Sequence, residues 1–212
     1  MTMKKGYWIA DVEVRNPEGY RQYGGMLPGI LHKAGARFVI RGGQTDIVEG
    51  RSRSRIVVLE FPTYAAALAC YRSPEYAKAI AVRQAATDAD LLVIEGYDGV
   101  QPPLAASPLA AATAKGYWIG HIDVTNAEGY KAYTVADMAP FGKFGGHFLV
   151  RGGRRELPEG HLRSRSVLLE FPSYAAALAC YRSPDYQAAK KFRDGNADAD
   201  LLIVEGYDGQ QP

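Results

Sequence analysis

The stretch FPTYAAALACYRSPEYAKAI, from Phe61 to Ile80, returns as FPSYAAALACYRSPDYQAAK, from Phe171 to Lys190. Each copy reads as an Ala-rich helix, then a Ser-Pro step that starts a second helical segment with the serine as its cap. The repeat extends outward in both directions. KGYWI at Lys5 matches Lys115, RGG at Arg41 matches Arg151, LEFP at Leu59 matches Leu169, and DADLL at Asp88 matches Asp198, all without a gap. A repeat this long is a duplicated domain, not a solenoid unit. Residues 1–99 and 115–212 therefore read as two repeats. Between them VQPPLAASPLAAATA, residues 100–114, is uncharged and rich in Pro and Ala, and reads as a semi-extended linker that permits side-by-side docking.

Within one copy, YWIADVEV alternates and is rich in β-formers, so it is a strand. Asn16-Pro17-Glu18 opens a helix that Gly24, Gly25, Pro28 and Gly29 weaken; the second copy is the better former until Pro140. RFVIRGG is the second strand and SRIVVLEF the third, after a polar turn around EGRSRS. DADLLVIEGY is the last. The order β-α-β-β-α-β is a ferredoxin-like α+β unit, an antiparallel sheet with its helices on one face.

Strand alternation then sorts the side chains. Trp8, Ala10, Val12 and Val14 form an apolar face expected under the helices. Tyr7, Ile9, Asp11 and Glu13 form the other. That second face is too apolar for water and too charged for an ordinary core. Two such sheets packed together would close a barrel with a partly polar lumen. On this reading the duplication exists because one copy cannot bury its own sheet.

GYWIADVEVRNPEGYRQY, RFVIRGG, VVLEFPTYAAALACYRSPEY and DADLLVIEGYDG, with their second-copy counterparts, resemble the bacterial family called domain of unknown function 1330. The resemblance covers almost everything except the linker and the extreme N-terminus. It implies an intramolecular dimeric α+β barrel, two ferredoxin-like repeats packed sheet to sheet. That superfamily includes cofactor-less monooxygenases, isomerases and haem enzymes. It implies no particular activity, because fold does not fix function.

The lumen set expected from alternation is Tyr7, Asp11, Glu13, Arg41, Glu60, Glu95 and Tyr97, with Tyr117, His121, Asp123, Arg151, Glu170, Glu205 and Tyr207 in the second copy. One reading pairs Arg41 with Glu60 or Glu95, and Arg151 with Glu170 or Glu205, as neutralised buried charge. The other makes the tyrosines, arginines and glutamates a site for a small polar or aromatic ligand. The informative difference is Asp11 against His121 at the same place on strand one. Histidine changes charge near neutral pH, so His121 is the candidate general acid or base, with Asp123, Asp11 and Glu13 as partners.

Other signals are weaker. RSRSR from Arg51, echoed by HLRSR from His161, reads as a solvated hairpin, with an anion site as the alternative. The RGG triplets are turn glycines. Tyr71, Arg72, Ser73 and Tyr76, with Tyr181, Arg182, Ser183 and Tyr186, surround a helix break that borders a pocket mouth or is simply capped by its serines. The four histidines show no metal-ligand spacing. No phosphate loop, dinucleotide fingerprint or nucleophile elbow is present. A formal charge of +2 gives no global reason to expect nucleic acid or a membrane surface. The start, MTMKKGYWIADVEV, has no apolar run long enough for a signal sequence, and no stretch approaches the length of a membrane span. Cys70 and Cys180 are one packing position written twice, and a reducing cytoplasmic setting is expected. The expected protein is thus a small-molecule-binding barrel needing no cofactor, haem included, present as a fused pseudo-dimer or a further homodimer. It is an acid–base enzyme of isomerase, lyase or monooxygenase type, or a non-catalytic metabolite-binding or stress-related protein, or a purely structural barrel.

Overall fold

The computed structural model describes residues 3–104, 109 and 111–212, so the linker expected at 100–114 lies partly outside the described residues. The first repeat runs β1 (Gly6–Val14), α1 (Pro17–Lys33), β2 (Arg37–Arg41), β3 (Thr45–Glu49), β4 (Arg55–Phe61), α2 (Tyr64–Tyr71), α3 (Pro74–Ala86) and β5 (Thr87–Glu95). The second runs β6 (Gly116–Val124), α4 (Ala127–Ala136), α5 (Met138–Lys143), β7 (His147–Arg151), β8 (Arg155–Glu159), β9 (Arg165–Phe171), α6 (Tyr174–Arg182), α7 (Pro184–Lys190) and β10 (Ala197–Glu205). Ser73 and Ser183 each accept from the backbone N–H three residues on, so the Ser-Pro steps are caps as read from the sequence.

Two five-stranded sheets form, in the orders β2-β4-β1-β5-β8 and β3-β10-β6-β9-β7. The repeats therefore exchange strands: β3 pairs with β10, and β8 with β5. These strands correct the sequence reading, which passes from RFVIRGG through a turn to the next strand. Their signal is weak because each is a half-buried edge strand with little apolar face, and β8 carries Pro158, tolerable only at an edge. The RGG glycines make the exchange possible. Gly42 and Gly43 lie at φ +74° and +104°, two successive left-handed residues that no other residue type adopts cheaply.

Each exchanged strand carries a buried ion pair to the opposite repeat. Glu159 on β8 accepts from Arg83 at 2.5 Å and from the Tyr71 hydroxyl at 2.7 Å. Glu49 on β3 likewise meets Arg193 and Tyr181. The C-terminal segments also cross over: Tyr207 N donates to Val39 O, and Tyr97 N to Leu149 O.

The helix-side cores match the expected apolar face. Trp8, Val12, Leu59 and Phe61 pack under α1–α3, and the Trp8 indole N–H donates to Ala67 O at 3.0 Å. The lumen differs from expectation. Its middle is solid apolar packing of Ile9, Ile40, Val58, Leu92 and Ile94 against their second-repeat counterparts Ile119, Val150, Leu168, Leu202 and Val204. Polar groups are confined to its two ends. The helix after β6 also departs from expectation: it breaks at Asp137, whereas α1 runs unbroken through Pro28. Pro140 denies Ala136 its hydrogen bond and crowds that carbonyl, whereas Pro28 does not end α1.

Candidate functional site

Positions 11 and 121 are equivalent in the two repeats, and both face the lumen near the pseudo-twofold axis that relates them. Across that axis His121 Nε2 stands 4.0 Å from Asp11 Oδ1. Both residues are almost sealed, with 4% of Asp11 and 1% of His121 exposed. Neither facing atom has a hydrogen-bond partner among the described residues. A symmetric dimer would place two identical side chains here. Fusion allows an acid to meet a base.

The surroundings differ between copies in the same sense. Ser166 stands opposite His121 on β9, where the first repeat has Ile56 opposite Asp11. Its hydroxyl lies 2.9 Å from His121 Nδ1. Ser52, whose second-repeat counterpart is Leu162, donates to Asp11 Oδ2 at 3.1 Å. Burial pushes the Asp11 carboxyl up to about 6, against the pull of the Ser52 hydroxyl. Burial pushes the His121 imidazole down to about 4. At neutral pH the pair is therefore carboxylate and neutral imidazole. The carboxylate favours the tautomer with the ring proton on Nε2, facing Asp11, which leaves Nδ1 to accept from the Ser166 hydroxyl.

The pair forms the floor of a cavity of about 820 Å3 lined by both repeats. Its walls are built by the RSRSR and HLRSR segments. Arg53 grips Asp90 through Nε at 2.7 Å and a second nitrogen at 3.2 Å, and Arg163 holds Asp200 at 2.8 Å. His161 N also donates to Asp90 Oδ1. Burial would raise the Asp90 carboxyl, but these donors outweigh it and hold the group below its ordinary value. Gly160, at φ +73°, lies so close that a Cβ there would stand 2.0 Å from Asp90 Oδ1. The Arg51 and Arg155 guanidinium groups line the cavity without an ion-paired carboxylate among the described residues, although the Arg51 backbone N–H donates to Asp200 Oδ1 at 3.1 Å and Arg155 donates to Arg163 O at 2.8 Å.

The structure relocates several expected lumen residues. Asp123 and Glu13 lie at the rim, where each accepts from the backbone N–H of Ser164 or Ser54. Asp123 lines the cavity and also meets Arg163 at 3.2 Å. Tyr7 and Glu60 do face the lumen, but at its opposite end, where Glu60 accepts from Tyr7 at 2.9 Å and from Arg37 and Lys5 at 2.8 Å. Tyr117 donates to Glu170 there in the same way. Arg41 and Arg151 are not in the lumen. A bulge between Phe38 and Ile40, repeated between Phe148 and Val150, inserts a residue and turns the arginines to the helix side. Neither pairs as expected; Arg41 lies over the Phe38 ring at 4.5 Å and Arg151 over Phe148 at 4.4 Å. Glu95, Tyr97, Glu205 and Tyr207 also leave the lumen. Trp8 pairs with Val93, so Val93 and Glu95 share the helix-side face, and Tyr97 and Tyr207 pack against Phe148 and Phe38 of the opposite repeats.

Sequence reasoning missed Asp90, Asp200, Ser166 and the cavity arginines. The signal for Ser166 was present: SRIVVLEF against SRSVLLEF shows one polar residue entering an apolar strand. Asp90 and Asp200 follow from the same pairing that corrects Glu95, because Asp90 lies opposite Asp11 and Asp200 opposite His121.

Among the described residues no three His, Cys, Asp or Glu side chains are placed to hold a metal ion. Nor does the buried imidazole suit a haem: its Nε2 faces a carboxylate 4.0 Å away, a gap with no room for a macrocycle.

Fold and site together define an intramolecular dimeric α+β barrel with a polar cavity between its halves. Residues 5–97 and 115–207 each match the model of one family, Domain of unknown function (DUF1330), and the chain belongs to that family. Among solved structures, an anthrone oxidase-like protein superposes with a TM-score of 0.59 at 12% identity, covering 99% of this chain and 92% of that one. A mutant chlorite dismutase from Candidatus Nitrospira defluvii, in complex with cyanide, gives 0.50 at 8% identity, covering 96% and 90%. These likenesses concern the fold. A search of curated proteins gives no match. No helix among the described residues is long and apolar enough to cross a membrane.

Proposed function

We propose that this protein is an acid–base enzyme that moves a proton on a small carbonyl-bearing acid bound in the cavity above Asp11 and His121. The observation that carries the reading is the pair of unpartnered atoms facing each other at 4.0 Å. Both facing atoms are sealed, so a substrate enters only when the pair parts; its carbonyl oxygen would then accept from His121 Nε2–H at about 2.9 Å, with the adjacent carbon toward Asp11. Asp11, ionised at neutral pH with its carboxyl near 6, is the proton acceptor. It removes a proton from the carbon next to the substrate carbonyl. The carbonyl oxygen, gaining negative charge, is stabilised by the His121 Nε2–H. Return of the proton from Asp11 to the enolate oxygen completes a keto–enol isomerisation, and its return to the same carbon gives exchange, so atoms and electrons balance without a co-reactant. Arg51 and Arg155 are the candidates for holding the substrate carboxylate.

The test is exchange of substrate C–H for C–D in heavy water, followed by proton NMR over a panel of small keto acids. The reading expects enzyme-dependent exchange of at least one compound, at least about 100-fold slower with Asp11→Asn. Saturable binding without exchange would leave the non-catalytic binder instead. Absence of both would remove the site.

A further inference from the structure

A second cavity lies between α1 and the helix-side face of the first repeat's sheet. Its volume is about 360 Å3, within the range of small-molecule sites. The equivalent space in the second repeat measures about 30 Å3, enough for little more than a water molecule. Four substitutions between the copies lie at this difference. Val12, Gly24, Leu27 and Leu31 of the first repeat become Ile122, Thr134, Asp137 and Phe141.

The charge balance differs with the volume. Three arginines line both spaces in equivalent places, Arg41, Arg55 and Arg83 in the first repeat and Arg151, Arg165 and Arg193 in the second; Arg21, paired with Glu18, also lines the first. The second repeat sets a buried carboxylate among them. Asp137 is 4% exposed; burial pushes its carboxyl up to about 7, and the three arginines lower it only through space, none within ion-pair distance, so that Asp137 Oδ1 and Arg165 Nε both stay without a hydrogen-bond partner among the described residues. In the first repeat the same position is Leu27, and no acid lines the cavity. Arg83 keeps its partner Glu159, but its Nε and that of Arg55 are buried without any hydrogen-bond partner among the described residues. Arg41 is held by aromatic rings and by a 3.4 Å contact to the Tyr207 hydroxyl, not by an acid. The rest of the wall combines aromatic rings, among them Trp8, Tyr20 and Tyr76, with aliphatic side chains such as Val12, Leu27 and Leu59.

We infer that the first repeat's helix–sheet cavity binds a small aromatic carboxylate, whose anionic end takes the place that Asp137 fills in the second repeat. The second repeat is the same site closed by its own side chains. The ligand's ring packs on the aromatic wall, and its carboxylate meets the arginines. This site is separate from the Asp11–His121 cavity and stands whether or not that cavity is catalytic.

Calorimetric titration of the full chain with benzoate, phenylacetate and 2-naphthoate, each against its neutral amide, tests the inference. At least one carboxylate is expected to bind saturably to one site, at least about 10-fold tighter than its amide. Gly24→Leu grows a side chain into the cavity from a position with nothing within 4 Å of its Cβ, so the fold tolerates it, and it is expected to lower affinity at least about 10-fold. Arg41→Gln, at an exposed position, is expected to remove most of the carboxylate preference. Asp11→Asn leaves affinity within about two-fold, which separates this site from the lumen. No saturation by any carboxylate at about 10 mM, equal affinity for the amides, or binding indifferent to both Gly24→Leu and Arg41→Gln would each overturn it.

Discussion

Replacing Glu159 by Gln removes the charge that anchors β8 to the first repeat. Arg83, 3% exposed, then keeps a buried guanidinium with no counter-ion. Breaking one side of such a buried pair costs about 3–5 kcal/mol, most of it the penalty for the orphaned charge. Arg83→Met should cost less, about 2–3 kcal/mol, because Glu159 retains the Tyr71 and Gln84 donors at 2.7 and 3.2 Å. The double variant should be no less stable than Glu159→Gln alone, since the orphaned charge is gone. Urea unfolding followed by tryptophan fluorescence reads all three. With a slope of about 2–3 kcal/mol per molar, Glu159→Gln lowers the midpoint by about 1–2 M. Trp8 and Trp118 lie in different repeats, so a single transition in every variant is also expected if the exchanged strands make one cooperative unit. A cost below about 1 kcal/mol for Glu159→Gln, or strictly additive single effects, would refute the claim that this pair locks the exchange.

The acid–base pair gives opposite pH signatures. The native Asp11 carboxyl, near 6 against 3.8 unfolded, binds more protons when folded, so its contribution falls as pH rises through that window. The native imidazole of His121, near 4 against 6.5, binds fewer, so its contribution is lost as pH falls from 6.5 to 4. Each shift is worth about 3 kcal/mol and they nearly cancel in the wild type. Relative to wild type, Asp11→Asn should therefore lose about 3 kcal/mol between pH 7 and pH 4, and His121→Gln should gain about as much, by denaturant unfolding at each pH. Gly160→Ala should cost at least about 2 kcal/mol in the same assay, because it strains a left-handed residue and drives a methyl into Asp90. A neutral Gly160→Ala would mean that the turn is not pressed against that carboxylate.

Much of the architecture was legible because it rests on two local signals, the gapless repeat and the strict alternation of β1. The alternation of YWIADVEV placed Asp11 correctly in the lumen, and its second copy placed His121 beside it. The failures share a cause: alternation is reliable only within an unbroken strand whose phase is known. At Phe38–Ile40 a bulge shifts the phase, so Arg41 and Arg151 were put on the wrong face. At β5 and β10 both faces are apolar, so nothing local says whether Glu95 or Asp90 points inward; pairing with β1 decides it. The exchanged strands TDIVE and RELPE were invisible because their partners are in the other repeat. Their pairing partners are set by tertiary closure, which no window of sequence contains. The RSRSR hairpin read as solvated for the same reason: its arginines find their aspartates only once the barrel closes.

The proposed proton transfer rests on two buried groups with opposed proton affinities, and nuclear magnetic resonance can watch both at once. In uniformly labelled full-length protein, the carboxyl carbon of Asp11 should titrate near 6, and the His121 ring should stay neutral with its proton on Nε2 until the pH approaches 4. An Asp11 midpoint near the ordinary carboxylate value together with a His121 midpoint near 6.5 would mean that neither group is sealed as described, and the proposed chemistry would have no basis.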